Sequence, residues 1–160
     1  MRLLIAAVGK LKDGGEPELL ARFKKRIDQS GRGIALGPLS IVELAESRAP
    51  EAAQRKADEA ARLLASAERA EYRVILDEGG TTITSQAFAD LLSKLRDDGV
   101  RDLSFLIGGP DGHGDAARQS ADATLSLSRM MLPHGLARVV LAEQIYRALT
   151  IISGHPYHRN

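Results

Sequence analysis

The chain has 160 residues, 44% of them hydrophobic and 27% charged, which suits one globular domain of the common size, roughly 100–150 residues. It contains no cysteine, so disulfides and thiolate metal centres are excluded, and a chain of this length buries about two thirds of its unfolded surface without either. A net charge of +1, from 22 basic and 21 acidic residues, excludes a protein that grips nucleic acid over its whole surface; any such contact is local.

The first apolar run, residues 3–8, predicts a buried strand. With Arg2 before it the run imitates a signal peptide, but it is short, and Leu11-Lys12-Asp13-Gly14-Gly15 brings charge back without a small-x-small cleavage site. No window approaches the roughly 20 apolar residues of a membrane span. The expectation is a soluble, cytoplasmic protein.

Glu16-Pro17-Glu18 places proline and acids where a helix begins, and Leu19, Leu20, Phe23 and Ile27 follow at helical spacing. Ile41-Val42-Glu43-Leu44 is a second strand. Pro50-Glu51 opens a helix with an alanine- and leucine-lined face through Ala67. Residues 72–77 are a third strand, ending at Glu78-Gly79-Gly80, and a helix through Phe88, Leu91, Leu92 and Leu95 stops at Gly99. Residues 103–107 form a fourth strand, which runs into Gly108-Gly109-Pro110-Asp111-Gly112-His113-Gly114. A short helix over residues 115–120 precedes a fifth strand near 124–127, and the last helix covers about 134–152. Strands alternating with helices predict one α/β domain over residues 1–160, with a mostly parallel sheet and helices on both faces. There is no internal repeat or interdomain linker.

In such sheets ligands bind beyond the carboxyl ends of the strands. Three of these ends are unusual: Leu76-Asp77-Glu78-Gly79-Gly80, the glycine-rich 108–114 segment, and Ser128-Arg129-Met130-Met131-Leu132-Pro133. Glycine lets backbone approach a ligand where a Cβ would clash, although a flexible turn has the same composition. Gly112-His113-Gly114-Asp115-Ala116-Ala117 fits a dinucleotide pattern, but it is separated from its strand and lies in the fourth unit, so the match is taken as chance. No Walker A sequence is present. Met130, Met131 and Leu132 either enclose an adenine ring or complete the core.

The last helix is apolar nearly all round and must be covered on two sides, one by its own sheet and the other by a second subunit; homodimerisation is the expectation. Its polar stripe is Glu143, Arg147 and Thr150, with Glu143 and Arg147 ordered for an ion pair, a structural role being weighed above a catalytic one. His155 and His158 have H-x-x-H spacing but no companion ligands, and no metal site is assigned. A tail holding His155, Pro156, Tyr157, His158 and Arg159 is either disordered or suited to stacking on an unpaired base and contacting phosphate. Lys24-Lys25-Arg26 with Arg32 is either a phosphate patch or a solvated helix face.

Residues 105–112, 125–134, 139–146 and the closing His155-Pro156-Tyr157-His158-Arg159 resemble the ribosomal RNA large subunit methyltransferase H family of the SPOUT class, across the whole chain. The resemblance implies transfer of methyl from S-adenosyl-L-methionine to N3 of a pseudouridine in a loop of 23S ribosomal RNA. It also implies a homodimer and a carboxyl-terminal trefoil knot over about residues 100–160. By motif match, Leu76, Gly108, Gly109, Ser128, Arg129, Met130, Met131, Leu132 and Pro133 bind the cofactor. The resemblance also implies that His155, Tyr157, His158 and Arg159 face the target base across the dimer. Competing readings are a nicotinamide-dependent oxidoreductase and a non-catalytic RNA-binding module.

Overall fold

The computed structural model describes residues 1–12 and 14–157. β1 (Arg2–Val8), β2 (Leu39–Leu44), β3 (Tyr72–Thr81), β4 (Asp102–Ile107) and β5 (Ala123–Leu125) form one sheet in the order β2-β1-β4-β3-β5. Every pairing is parallel, so each needs a crossover. These are α1 (Gly15–Ser30), α2 (Ala52–Ser66), α3 (Ser85–Asp97) and α4 (Asp115–Ser120), and α5 (His134–Ser153) follows β5. The steps β1→β2 and β3→β4 run one way along the sheet, whereas β2→β3 and β4→β5 run the other. Right-handed crossovers therefore put α1 and α3 on one face and α2 and α4 on the other, and α5 lies with α1 and α3.

Strand alternation divides the interior accordingly. Leu3, Ile5, Ala7, Val74, Leu103 and Phe105 pack under α1, α3 and α5. Ala6, Val8, Ile75 and Leu106 pack under Leu63 and Ala67 of α2 and its carboxyl end. The near-continuous burial of β4 reflects a central parallel strand covered on both faces. The helical spacing of Leu20, Phe23 and Ile27 is what buries one stripe of α1. α3 starts where the Thr84 hydroxyl accepts the Ala87 amide at 3.1 Å, an N-cap that fixes the turn after β3.

Two expectations change. The third strand does not end at Asp77: β3 runs to Thr81, with its register to β5 shifting between Leu76 and Thr81. Glu78-Gly79-Gly80 is thus strand, not turn, because β5 crosses against it. A Cβ on Gly80 would sit 2.6 Å from the Leu125 carbonyl carbon. The second side of α5 is covered within the chain, since the helix packs on both α1 and α3. Its apolar circumference does not by itself demand another subunit.

Candidate functional site

The three unusual strand ends converge on a cavity of about 750 Å3 beyond the carboxyl ends of β3, β4 and β5, within the size range of small-molecule sites. Of the residues assigned to the cofactor, Leu76, Gly108, Gly109, Ser128, Met130, Met131, Leu132 and Pro133 border it, whereas Arg129 does not.

One lip is a tight turn. The Gly112 amide donates to the Gly109 carbonyl at 2.9 Å, and Gly112 has φ +82°, a region that favours glycine. Gly109 is jammed from behind: a Cβ there would lie 2.7 Å from Glu59 Oε2 and 3.0 Å from Val8 Cγ1. The turn is tied to α2 by Arg55, whose Nε donates to Asp111 Oδ2 at 2.7 Å and Nη2 to Oδ1 at 3.2 Å. That bidentate pairing holds the Asp111 carboxyl below its ordinary range.

Midway along β3, Asp77 accepts from the Gly79 amide at 3.0 Å and from Arg118 at 2.7 Å. Burial pushes its carboxyl up, but the amide and the guanidinium outweigh burial and keep it below the usual carboxylate range. Asp77 is an ionised group on the cavity wall.

The third lip is the 128–133 loop. Ser126 Oγ donates to the Ser128 carbonyl at 2.8 Å, and Ser128 Oγ accepts the Met130 amide at 2.9 Å, so the loop is pinned by its own serines. Met130 and Met131 are 78% and 83% exposed. They do not complete the core. Large unbranched apolar side chains standing free at a cavity mouth suit closure over a ligand.

Behind this lip stands a residue that the sequence reading passed over. Arg138, one turn into α5, is 1% exposed. Its Nη2 donates to the Val8 carbonyl at 2.8 Å and its Nη1 to Glu43 Oε1 at 3.0 Å, while Glu43 Oε2 accepts the Leu11 amide at 3.2 Å. Burial pushes the guanidinium down, and Glu43 opposes. This network locks the start of α5 to the ends of β1 and β2. An apolar helix carrying an isolated arginine five residues before its acid was the available signal, and helical periodicity alone reads such a residue as surface.

The tail lies elsewhere. Tyr157 stacks edge-on to Tyr146 at 4.7 Å, lies under the Arg147 guanidinium at 5.2 Å, and donates its hydroxyl to Glu143 Oε1 at 3.3 Å. Burial and Glu143 together push its phenol up. Arg147 also pairs with Glu143 at 2.6 Å, so the polar stripe of α5 is structural pairing plus a dock for the tail. The His155 amide donates to the Thr150 carbonyl at 2.9 Å, and His155 Nδ1 accepts the Tyr157 amide at 3.2 Å. Neither His155 nor Tyr157 borders the cavity, and His158 and Arg159 lie outside the described residues. The basic run of α1 is largely committed: Lys24 pairs with Asp28 at 2.6 Å, and Arg26 lies over Phe23 and Tyr146. Lys25 and Arg32 are exposed.

A family model described as a predicted SPOUT methyltransferase matches residues 1–158. The chain belongs to the SPOUT methyltransferase family. Among curated relatives of this SPOUT chain, the ribosomal RNA large subunit methyltransferase H of Rhizobium leguminosarum bv. trifolii is 48% identical over 159 residues, 99% of each chain. The protein of the same name from Brucella anthropi is 44% identical over 160 residues, 100% of each. A solved structure, described as a probable methylase family protein from Haemophilus influenzae Rd KW20, has a TM-score of 0.56 at 11% identity. It covers 99% of the SPOUT chain and 70% of its own, and carries the likeness of fold alone. Among the described residues no helix of the family member is long and apolar enough to cross a membrane, and no cluster of three or more His, Asp or Glu residues could hold a metal.

Proposed function

We propose that this SPOUT methyltransferase transfers methyl from S-adenosylmethionine to N3 of a pseudouridine in a 23S ribosomal RNA loop, acting in the cytoplasm as a homodimer. The observation that carries the reading is the cavity formed by Leu76, the Gly109–Gly112 turn and the 128–133 loop. Its fit to the cofactor rests on three features. The volume accommodates an adenosyl amino acid, Leu76, Ile107 and Leu132 offer apolar wall to a purine, and Asp77 offers an ionised carboxylate beside it. The full-length similarity to proteins named for this reaction supports the same substrate.

When bound, S-adenosylmethionine supplies a sulfonium methyl that is already a strong electrophile. The chain contributes alignment and proton removal. Held loops orient the reactants, because a few ångströms of misplacement cost most of the rate, and Met130 and Met131 close over the cavity mouth to exclude water. N3 of a pseudouridine must lose its proton before nitrogen attacks. His155 or His158 accepts it, and Arg159 or Arg147 favours the imide anion that develops. With His155 Nδ1 accepting the Tyr157 amide, the neutral ring carries its proton on Nε2, so His155 takes up the N3 proton only at Nδ1, once that bond is given up.

The homodimer reading is supported by exposed Leu19, Leu136, Met130 and Met131 around one end of α5, and by the distance of the described tail from its own cavity. A knot over about residues 100–160 fits the close passage of the chain there, where the Ser126 amide donates to the Thr81 carbonyl at 3.0 Å. Transfer of labelled methyl to undermodified free 23S RNA, large subunits and assembled ribosomes tests the activity; no transfer to any of the three refutes it. Mixing a cavity variant with a tail-truncated one tests the dimer. Restored activity means that the tail of one copy serves the cavity of another, and a mixture as inactive as its parts refutes this.

A further inference from the structure

A histidine that the family motifs do not use joins two lips of the cavity. His113 follows the Gly109–Gly112 turn and borders the cavity, yet is 4% exposed. Its Nε2 lies 3.0 Å from the Leu76 carbonyl oxygen. A carbonyl only accepts, so Nε2 carries the proton and donates. Nδ1 is buried without a hydrogen-bond partner among the described residues, an arrangement that costs stability and asks for a functional reason.

Resting on the methyltransferase reading above, we propose that His113 is a positioning residue for the cofactor: its neutral ring clamps the glycine turn to β3 at Leu76, and charging the ring releases the clamp and opens the cavity. The groups around it fit this role. Asp77 of β3 and Arg118 of α4 face it with opposite charge. On α2, Glu59 reaches Gly109 and the Lys56 carbonyl backs Gly114, so both flank the same loop. Burial pushes the ring below its ordinary 6.5. The Leu76 carbonyl and the Asp77 carboxylate pull it back up, and Arg118 acts in the same direction as burial. The ring is therefore neutral at neutral pH; charging keeps the Nε2–H bond to Leu76 but adds an Nδ1–H that has no acceptor in the closed cavity, so acid favours the conformation in which water reaches the ring.

The test measures KM for S-adenosylmethionine and kcat on the full chain between about pH 5.5 and 8.5, with amide exchange followed across residues 76–81 and 108–114. His113→Leu removes the donor and the charge, whereas His113→Gln keeps a side-chain N–H. The expected results are a wild-type KM that rises in acid while His113→Leu shows no such rise, any acid loss of kcat being common to both, and roughly fivefold higher KM in His113→Leu near neutrality. His113→Gln returns KM to within about twofold of wild type. Exchange quickens in both segments of His113→Leu and in neither of His113→Gln. Unchanged KM in His113→Leu, or a loss confined to kcat, overturns the proposal. A wild type that transfers no methyl refutes the activity instead, and exchange then decides the clamp, equal rates in wild type and His113→Leu overturning it. Should His113→Leu not fold, His113→Asn, too short to reach Leu76, takes its place.

Discussion

The Arg138–Glu43 pair sets up a comparison whose sign follows from burial. Glu43→Ala leaves a guanidinium that is 1% exposed with one remaining acceptor, the Val8 carbonyl, and also strips the Leu11 amide of its acceptor. Removing one partner of a buried pair in this way costs about 3–5 kcal/mol. Arg138→Met leaves the opposite orphan. The Glu43 side chain is 28% exposed, so it rehydrates in place and keeps the Leu11 amide, and the main loss is the donor to the buried Val8 carbonyl, about 1–3 kcal/mol. For a chain of this size, 1 kcal/mol moves Tm by roughly 2–4 °C. Glu43→Ala should therefore melt roughly 10 °C below wild type and Arg138→Met about 5 °C below. The double variant should be more stable than Glu43→Ala alone, because it removes the stranded charge. Urea unfolding without cofactor, at one fixed protein concentration, gives the three differences. If Arg138→Met is the more damaging single change, or if the double variant adds the two losses, the charge is not uncompensated in the way its burial implies.

Three further outcomes follow from the cavity. Gly109→Ala drives a Cβ to 2.7 Å from Glu59 Oε2 and 3.0 Å from Val8 Cγ1, so the turn must lift; calorimetry should show S-adenosylmethionine affinity down by about tenfold, and unaltered affinity would mean that the turn does not contact it. Met130→Ser with Met131→Ser should leave stability within about 0.5 kcal/mol, since both side chains are solvated, while weakening cofactor binding; a large loss of Tm would refute their freedom from the core. Between the lowered folded value of His113 and its ordinary 6.5, the unfolded chain binds more protons than the folded one. The His113 contribution to stability is thus full above pH 6.5 and is lost as pH falls through that window. Melting curves near neutrality and at about pH 5.5 should differ less for His113→Leu than for wild type; equal differences would refute the buried neutral ring.

Much of the fold was legible because parallel strands buried on both faces write themselves as near-continuous apolar runs, as residues 3–8 do and 103–107 do save for Ser104. The end of β3 was not, because Glu78-Gly79-Gly80 has turn composition and serves instead as the flat strand that lets β5 approach Gly80. The need of α5 for two apolar partners was legible, but not that α1 and α3 supply them, since order along the chain does not fix which helices share a face until crossover directions are known. The cavity lips were legible as glycine and apolar segments at strand tips. The polar residues that fix them were not: Glu59, His113 and Arg138 are all buried, whereas pattern reading sends a polar side chain to the surface by default. Their common property is an address, each reaching a backbone group that only the fold brings near.

Helix geometry also bears on how the site is completed. The cavity sits at the amino end of α5, beside Pro133 and Ala137, while Tyr157 returns along the helix only as far as Tyr146, Arg147 and Glu143. Pro133 and Glu143 are separated by about 15 Å along the axis, whereas reacting atoms must come within about 3.5 Å. The His155 amide is anchored at Thr150. Within one chain, Tyr157 can meet a base at the cavity only by leaving Glu143 and Tyr146. In the proposed homodimer, a second copy presenting its tail to this cavity would meet no such conflict, because each tail could keep its dock while the base is held between chains. That is why the proposed reading requires the dimer for chemistry, and not merely for stability.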